Sequence, residues 1–187
     1  MEETLIVKGK IISDQACISD KNMIHELEQK GFGDVENEQL FLKQFETLYL
    51  LYSNRLILNK GKKQIDFDNF MNTCQKTDYD ILTKFLIYRD LRNRGYVVKD
   101  GFGFGSDFRV YERGHFGEKG AKFLIFGLNE GQQEKMGNLQ KKIEEITQMG
   151  KEPIIAVIER RGEVIYYKIN KINFNKNKSR LEESFEL

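Results

Sequence analysis

Four residues in the second half of the chain could act on an anionic group: Arg109, Tyr111, His115 and Lys151. A tyrosine beside a cation can have its phenolate stabilised, as a general base requires. A histidine in a loop at a strand end can donate or accept a proton, and a lysine can stabilise developing negative charge. Each residue also has a structural interpretation, because tyrosines are often half-buried and lysines often cap helices. Individually, none of the four identifies a reaction.

The predicted elements place these residues at the ends of strands. Alternation over residues 108–114 predicts a strand on which Arg109 and Tyr111 share the face opposite the apolar residues. His115 follows directly in a polar loop, and Lys151 falls between a predicted helix and the strand after it. The fold must therefore bring several strand ends together for these residues to act jointly.

The chain as a whole predicts an α+β fold in two domains and a tail. Residues 1–77 predict a small N-terminal α/β domain, residues 78–173 a C-terminal mixed β-sheet domain with flanking helices, and residues 174–187 a polar tail. In the first domain the clearest elements are a strand over 4–12, a helix over 20–30 and a strand over 55–59. In the second, helices over 78–94 and 139–149 accompany strands over 96–100, 108–114, 121–128, 152–159 and 163–172.

Composition limits the function classes. Thirty basic and 29 acidic residues give a net charge of +1, which excludes a polybasic coat or an acidic tail. Residues 1–78 carry −3 and residues 79–187 carry +4, which favours the second half as the seat of an anionic ligand. Two distant cysteines, Cys17 and Cys74, predict free thiols and no zinc site. With no membrane-spanning stretch, signal peptide or cofactor fingerprint in the sequence, we expect a soluble cytoplasmic protein without a cofactor.

A longer pattern connects the candidate residues. The run from Tyr88 to Tyr111, YRDLRNRGYVVKDGFGFGSDFRVY, closely resembles the signature of archaeal tRNA-intron (splicing) endonucleases. In that signature a helix ending in DLR-x-RG-Y precedes a strand, a glycine turn and a strand ending in tyrosine. Residues 154–167 resemble the closing hairpin of the family, and residues 26–33 and 40–51 resemble its N-terminal domain. The resemblance covers almost the whole chain.

The resemblance implies a metal-independent ribonuclease. Members of the family cleave precursor tRNA at a bulge–helix–bulge motif, where the ribose 2′-OH attacks the adjacent phosphate and leaves a 2′,3′-cyclic phosphate and a 5′-OH. A tyrosine acts as general base, a histidine as general acid, and a lysine stabilises the transition state. Tyr111 and Lys151 match the family tyrosine and lysine, and Arg109 is expected to contact RNA.

The family histidine has no counterpart in this sequence. The family places it directly before Ala-x-(Tyr/Phe)-Leu, where this chain has Gly120, and His115 lies five residues earlier. Lys151 follows Met-Gly instead of the family's Val-Arg, and Glu144 stands where a basic residue is common. Some members are heterotetramers of catalytic and structural subunits, and these departures favour a structural subunit. The alternative is a catalytic subunit whose displaced His115 reaches the phosphate.

The resemblance also predicts partners, and other function classes stay open. The partners are precursor tRNA and homologous subunits in a homo- or heterotetramer, joined through the strand at 164–172 and a docking loop at 128–135. A non-cleaving RNA-binding scaffold is one different class. A metal-dependent nuclease using Asp107 and Glu112 is another, although no carboxylate–x–Lys frame follows them.

Overall fold

The computed structural model describes residues 6–101, 105–129 and 136–170, the first three residues of the last range as backbone only. The predicted polar tail, most of the predicted docking loop and the end of the predicted final strand lie outside the described residues. Within the described part, five helices and two sheets form the α+β fold that the sequence predicts.

The first half of the chain forms a six-stranded mixed sheet. Its strands are β1 (Val7–Ile12), β2 (Gln15–Ile18), β3 (Asp34–Glu36), β4 (Gln39–Leu42), β5 (Leu56–Lys60) and β6 (Lys63–Ile65). They are ordered β3-β4-β2-β1-β5-β6, so β3 and β6 are the two edges. Only β1 and β5 pair in parallel, while the other neighbours are antiparallel.

Three helices accompany this sheet: α1 (Lys21–Gln29), α2 (Gln44–Tyr52) and α3 (Phe67–Cys74). Asp20 begins α1 by accepting hydrogen bonds from two backbone amides, and Asp66 begins α3 in the same way with one. Gly31 follows α1 with φ of +72°, a conformation that L side chains rarely adopt. The first helix therefore begins and ends where its local sequence directs.

The second half of the chain forms a five-stranded sheet in the order β11-β10-β9-β8-β7. Its elements are α4 (Ile81–Asn93), β7 (Val97–Asp100), β8 (Phe108–Tyr111), β9 (Phe123–Asn129), α5 (Met136–Gln148), β10 (Glu152–Ile158) and β11 (Val164–Lys168). β9 and β10 pair in parallel, and α5 provides the crossover that parallel strands need. The helices α4 and α5 both contact this sheet.

One hydrophobic core extends through both halves. The ring of Phe45 on α2 lies 4.9 Å from that of Tyr88 on α4 and 5.1 Å from that of Phe108 on β8, between centroids. All three side chains are buried. Because these rings come from both halves, each half covers apolar surface of the other.

The short strands differ from the sequence prediction. The sequence pattern does not predict β2, β3 or β6, and all three residues of β3 are exposed, so no apolar alternation marks that strand. β8 ends at Tyr111 rather than residue 114, because Gly114 adopts φ of +75° in a turn. β11 ends at Lys168, although the strand pattern continues to 172. No helix in the described ranges has the length and apolar character to cross a bilayer.

Candidate active site at one end of the C-terminal sheet

Two of the predicted site residues lie at the same end of the C-terminal sheet. Val110, Phe123 and Glu152 are in register across β8, β9 and β10. Tyr111 follows Val110 and Lys151 precedes Glu152, so both residues lie one step beyond this row in the same direction. With strands about 4.8 Å apart, the two backbones are about 10 Å apart. The register therefore places Tyr111 and Lys151 two strands apart at this end of the sheet.

The Tyr111 ring is fixed by packing. It is half-buried and meets Phe116 edge to face, with centroids 5.0 Å apart and planes at 89°. The Phe116 ring in turn faces the end of α1, where a Cβ added to Gly31 would lie 3.2 Å from it. The first half of the chain therefore supports the tyrosine from behind, through Phe116.

Lys151 reaches the segment that enters β9. Its Nζ donates a 2.6 Å hydrogen bond to the carbonyl oxygen of Ala121. A Cβ added to Gly120 would lie 3.8 Å from this Nζ and, apart from its chain neighbours, would meet no other described residue within 4 Å. Gly120 is exposed and its φ is outside the left-handed region, so the backbone there accepts any L residue. The position matched to the family histidine is thus open space beside the lysine ammonium.

His115 lies in the loop between Tyr111 and Gly120. Its backbone NH donates to the carbonyl of Glu112, and its own carbonyl accepts from the amides of Glu118 and Lys119. Its Nδ1 is buried and has no hydrogen-bond partner among the described residues. In the described part of the chain, no hydrogen bond joins this imidazole to the tyrosine or the lysine.

Arg109 lies between the two halves of the molecule. As predicted, it is on the less buried face of β8, but there it lines a cavity of about 180 Å³ at the junction with the first half. Its Nε is buried and lacks a hydrogen-bond partner within the described residues. The cavity's other lining residues are three carboxylates, two lysines and a glycine: Asp34, Glu46, Asp100, Lys43, Lys99 and Gly101.

Glu46, which the sequence patterns do not single out, secures this junction. Its carboxylate accepts hydrogen bonds from the amides of Lys43 at 2.8 Å and Gly33 at 3.1 Å. Burial raises the pKa of Glu46 to about 7. Beside it, Lys99 on β7 donates to the Gly33 carbonyl and pairs with Asp34. A charged residue within the apolar run of α2 is the sequence signal that could have identified it.

A second unpredicted contact closes the loop that carries His115. Glu112, directly after Tyr111, forms an ion pair with Lys122, the residue directly before β9. The hydrogen bond from Lys122 lowers the pKa of the Glu112 carboxyl and raises the pKa of the lysine. Ten residues separate the partners in sequence, and no spacing rule for loops predicts such a pair.

The carboxylates of the metal-dependent alternative are not brought together. Asp107 accepts a 2.7 Å hydrogen bond from the Gly127 amide, and burial raises its pKa. Glu112 is five residues further on, about 16 Å along an extended strand, and is paired with Lys122. Among the described residues, no three side chains of the metal-ligating types form a cluster.

Comparison with known proteins identifies the class to which this fold and site belong. Residues 81–166 match the family model for the tRNA intron endonuclease catalytic C-terminal domain, and residues 7–71 match that for its N-terminal domain. The match over 81–166 includes Tyr111, Gly120 and Lys151, and the match over 7–71 includes all six strands of the first sheet.

Individual archaeal relatives agree. The tRNA-splicing endonuclease of Methanococcus maripaludis is 33% identical over 162 residues, which cover 86% of this chain and 92% of the relative. Those of Thermococcus onnurineus and Pyrococcus furiosus are 31% and 28% identical over 169 and 170 residues, covering 90% of this chain and 98% of each relative. The chain belongs to the tRNA-intron endonuclease family, which confirms the predicted family.

Proposed function

We propose that this chain is a subunit of a tRNA-splicing endonuclease that cleaves precursor tRNA at bulge–helix–bulge junctions. The observation that carries the proposal is the placement of Tyr111 and Lys151 at one end of the C-terminal sheet, with Gly120 beside the lysine. Family membership supports the nuclease activity. The placement supports a chemical role for these two residues.

The proposed reaction is an internal transesterification. Tyr111, as its phenolate, takes the proton from the ribose 2′-OH, whose oxygen forms a bond to the adjacent phosphorus as the bond from phosphorus to the 5′-oxygen breaks. The Lys151 ammonium stabilises the negative charge that develops on the phosphoryl oxygens. The products are a 2′,3′-cyclic phosphate and a 5′-oxygen that must receive a proton. The substrate has to be RNA, because DNA lacks the attacking hydroxyl.

Whether this chain can supply the proton for the 5′-oxygen decides whether it is a catalytic or a structural subunit. Gly120 offers no proton donor at the position matched to the family histidine, and a missing general acid costs about 10²–10⁴ in rate. We therefore assign this chain as a structural subunit that assembles with a homologous catalytic subunit. The edge strand β11 and the loop at 128–135 are its proposed contacts with the other subunits.

The alternative is a catalytic subunit that uses His115. The observation in its favour is that Nδ1 of His115 has no partner in the described structure, so no hydrogen bond from this atom fixes the imidazole. The two assignments predict opposite results for the isolated chain.

The test is cleavage of an intron-containing precursor tRNA in EDTA, by this chain alone and mixed with a homologous chain that has the histidine. A structural subunit alone is inactive and supports cleavage only in the mixture. Gly120→His gives the isolated chain activity, and adding Tyr111→Phe abolishes that gain. Cleavage by the unaltered chain alone that His115→Ala abolishes would establish the alternative. RNA binding without cleavage in every mixture would indicate a scaffold.

A further inference from the structure

Five lysines lie on the last three strands at one edge of the N-terminal sheet, β1, β5 and β6, and in the β5–β6 turn, far in sequence from the candidate active site. They are Lys8, Lys10, Lys60, Lys62 and Lys63, half of the ten basic residues in 1–78. All five are exposed. The net charge of −3 over residues 1–78 does not reveal this group of lysines, because most of the 13 acidic residues in that range lie elsewhere along the sequence.

The strand register places these lysines on both faces of the sheet, Lys8 and Lys10 on one face and Lys60 and Lys63 on the other. Lys10 on β1 is opposite Asn59 on β5, directly before Lys60, and Lys60 is opposite Lys63 on β6. Lys8 lies two residues before Lys10, about 7 Å along the same face of the strand. Lys62 lies in the turn between β5 and β6, beside Gly61, which has φ of +62°.

These lysines have no partners in the described structure, unlike others in the first half. Lys21, Lys30 and Lys43 pair with Glu38, Glu26 and Asp34. Within the described residues, no ion pair or side-chain hydrogen bond engages any of the five lysines. Their charges are therefore available to a ligand.

Acidic and basic residues of the strands lie at opposite edges of this sheet. Its strand carboxylates, Asp34 and Glu36, both lie on β3, four strands and about 19 Å from β5. Near the lysines in sequence are Glu2 and Glu3 before β1, Asp14 in the β1–β2 turn, and Asp66 and Asp68 at the start of α3. Asp66 already accepts hydrogen bonds from the backbone and side chain of Asn69. On the strands β1, β5 and β6 themselves, all the charged residues are lysines.

We infer that the edge with these five lysines, the lysine edge, is a second RNA-binding surface, which holds the sugar–phosphate backbone of a paired arm of the precursor tRNA. Lysines on a sheet edge suit phosphates, because each ammonium is a flexible point charge and the contact carries no sequence information. RNA duplexes are recognised largely through shape and backbone contacts, which this surface can make. The inference extends the proposed function and rests on it.

The position of the surface separates binding from chemistry. β3, at the opposite edge of the sheet, is the strand that contacts the C-terminal sheet, through the Asp34–Lys99 ion pair. The strands that carry the lysines are three to five strand spacings, or about 14–24 Å, from that contact. An RNA that reaches the lysine edge must therefore extend well beyond the cleaved phosphate, as the body of a tRNA does.

The test compares two triple variants with the same change in net charge. K60Q/K62Q/K63Q removes three lysines of the edge, and K21Q/K30Q/K76Q removes three exposed lysines elsewhere in the first half. Binding of the full chain to mature tRNA is measured by fluorescence anisotropy over a range of salt concentrations. We expect the edge variant to bind about tenfold or more weakly at 0.1 M salt, and its salt slope to fall by about 2–3. The control variant keeps the affinity and the slope of the unaltered chain.

Mature tRNA has no intron, so this binding result does not depend on whether the chain cleaves. In the active assembly, the edge variant raises KM for whole precursor tRNA, leaves kcat unchanged, and does not affect a minimal RNA containing only the bulge–helix–bulge. Equal tRNA binding by both triple variants would overturn the inference. So would loss of subunit assembly without loss of tRNA binding, because that result would make the edge a protein contact.

Discussion

At the residue scale, the candidate site is defined by what surrounds three positions. Tyr111 is supported by Phe116, Lys151 reaches the Ala121 carbonyl, and Gly120 leaves open space beside the lysine. The sequence pattern could identify the tyrosine and the lysine because family motifs record residue type and order. It could not predict that a Cβ added at Gly120 would lie 3.8 Å from the ammonium, since that distance depends on the pairing of three strands.

Glu46 makes stability depend on pH. Its folded pKa of about 7 is raised above the value near 4.5 of a free carboxyl, so the native state holds the proton more tightly than the unfolded state. The free energy of unfolding therefore falls as pH rises from about 4.5 to about 7, by about 3 kcal/mol for this group. Urea denaturation across this pH range measures the decrease.

The matched variant for this prediction is Glu46→Gln, which keeps an acceptor for the Lys43 or Gly33 amide but does not titrate. Measured relative to this variant, the unfolding free energy of the unaltered chain should fall with rising pH over the same window. Parallel pH profiles for the two chains would contradict the assignment of this dependence to Glu46.

At the element scale, the loop from Tyr111 to Gly120 is secured at two points. Phe116 packs against the end of α1 near Gly31, and Glu112 pairs with Lys122. The end of α1 is thus part of the support for the candidate base, although the two are 80 residues apart in sequence. This connection gives the first half of the chain a role in positioning the site.

Gly31→Ala should destabilise the protein more than a left-handed conformation alone explains. An added Cβ would overlap the Val97 side chain and press on the Phe116 ring, in addition to the strain of φ at +72°. We expect a loss of about 2–3 kcal/mol in unfolding free energy, against about 1 kcal/mol for strain alone. Urea denaturation of the variant and the unaltered chain measures this loss.

Gly61→Ala is the control for this substitution. Gly61 has a similar φ of +62°, but a Cβ there would meet nothing within 4 Å. The excess loss in the Gly31 variant therefore measures packing at the Val97–Phe116 contact. Equal losses in the two variants would show that the contact contributes no stability.

Elements with a clear capping or apolar pattern could be predicted from the sequence. Strands that form mainly because a neighbouring strand offers backbone partners could not. α1 begins after Asp20, as its capping signal indicates, and β10 matches its apolar run to within one residue. β3 and β6 consist mostly of exposed residues, and they become strands only because β4 and β5 offer backbone partners. The sequence likewise predicts the face of β8 on which Arg109 lies, but not that this face meets the first half there.

At the scale of the whole molecule, the predicted boundary near residue 77 does not interrupt the core. The Phe45–Tyr88 and Phe45–Phe108 ring contacts cross it, as do the Lys99–Asp34 and Lys43–Asp100 ion pairs. The division into domains at 77/78 stays a prediction about sequence organisation. The shared core leads us to expect both halves to unfold together.

Phe45→Ala tests this expectation. Removing a buried aromatic ring from a core costs about 3–5 kcal/mol, and here the cavity would border both halves. Thermal and urea unfolding should remain a single transition at lower stability, with hydrogen exchange accelerated in β1 and β9 alike.

Phe41→Ala is a suitable control, because Phe41 is only half-buried on the opposite face of β4 from the core residues Leu40 and Leu42. We expect a smaller loss of unfolding free energy than in the Phe45 variant. Hydrogen exchange should be accelerated only in the N-terminal sheet. Two separate unfolding transitions in the Phe45 variant would show that the halves are independent.

Gly120 has a consequence for how such chains diverge in evolution. The position is exposed, its φ lies outside the left-handed region, and an added Cβ would come within 4 Å only of Lys151 Nζ among the described residues. Exchanging histidine for glycine at such a surface position changes folding stability by only about 0.5 kcal/mol. Selection for folding stability therefore does not act on this residue, and only selection for cleavage would maintain a histidine there. After gene duplication, one copy can lose a histidine at this position and persist as a folded partner of the other.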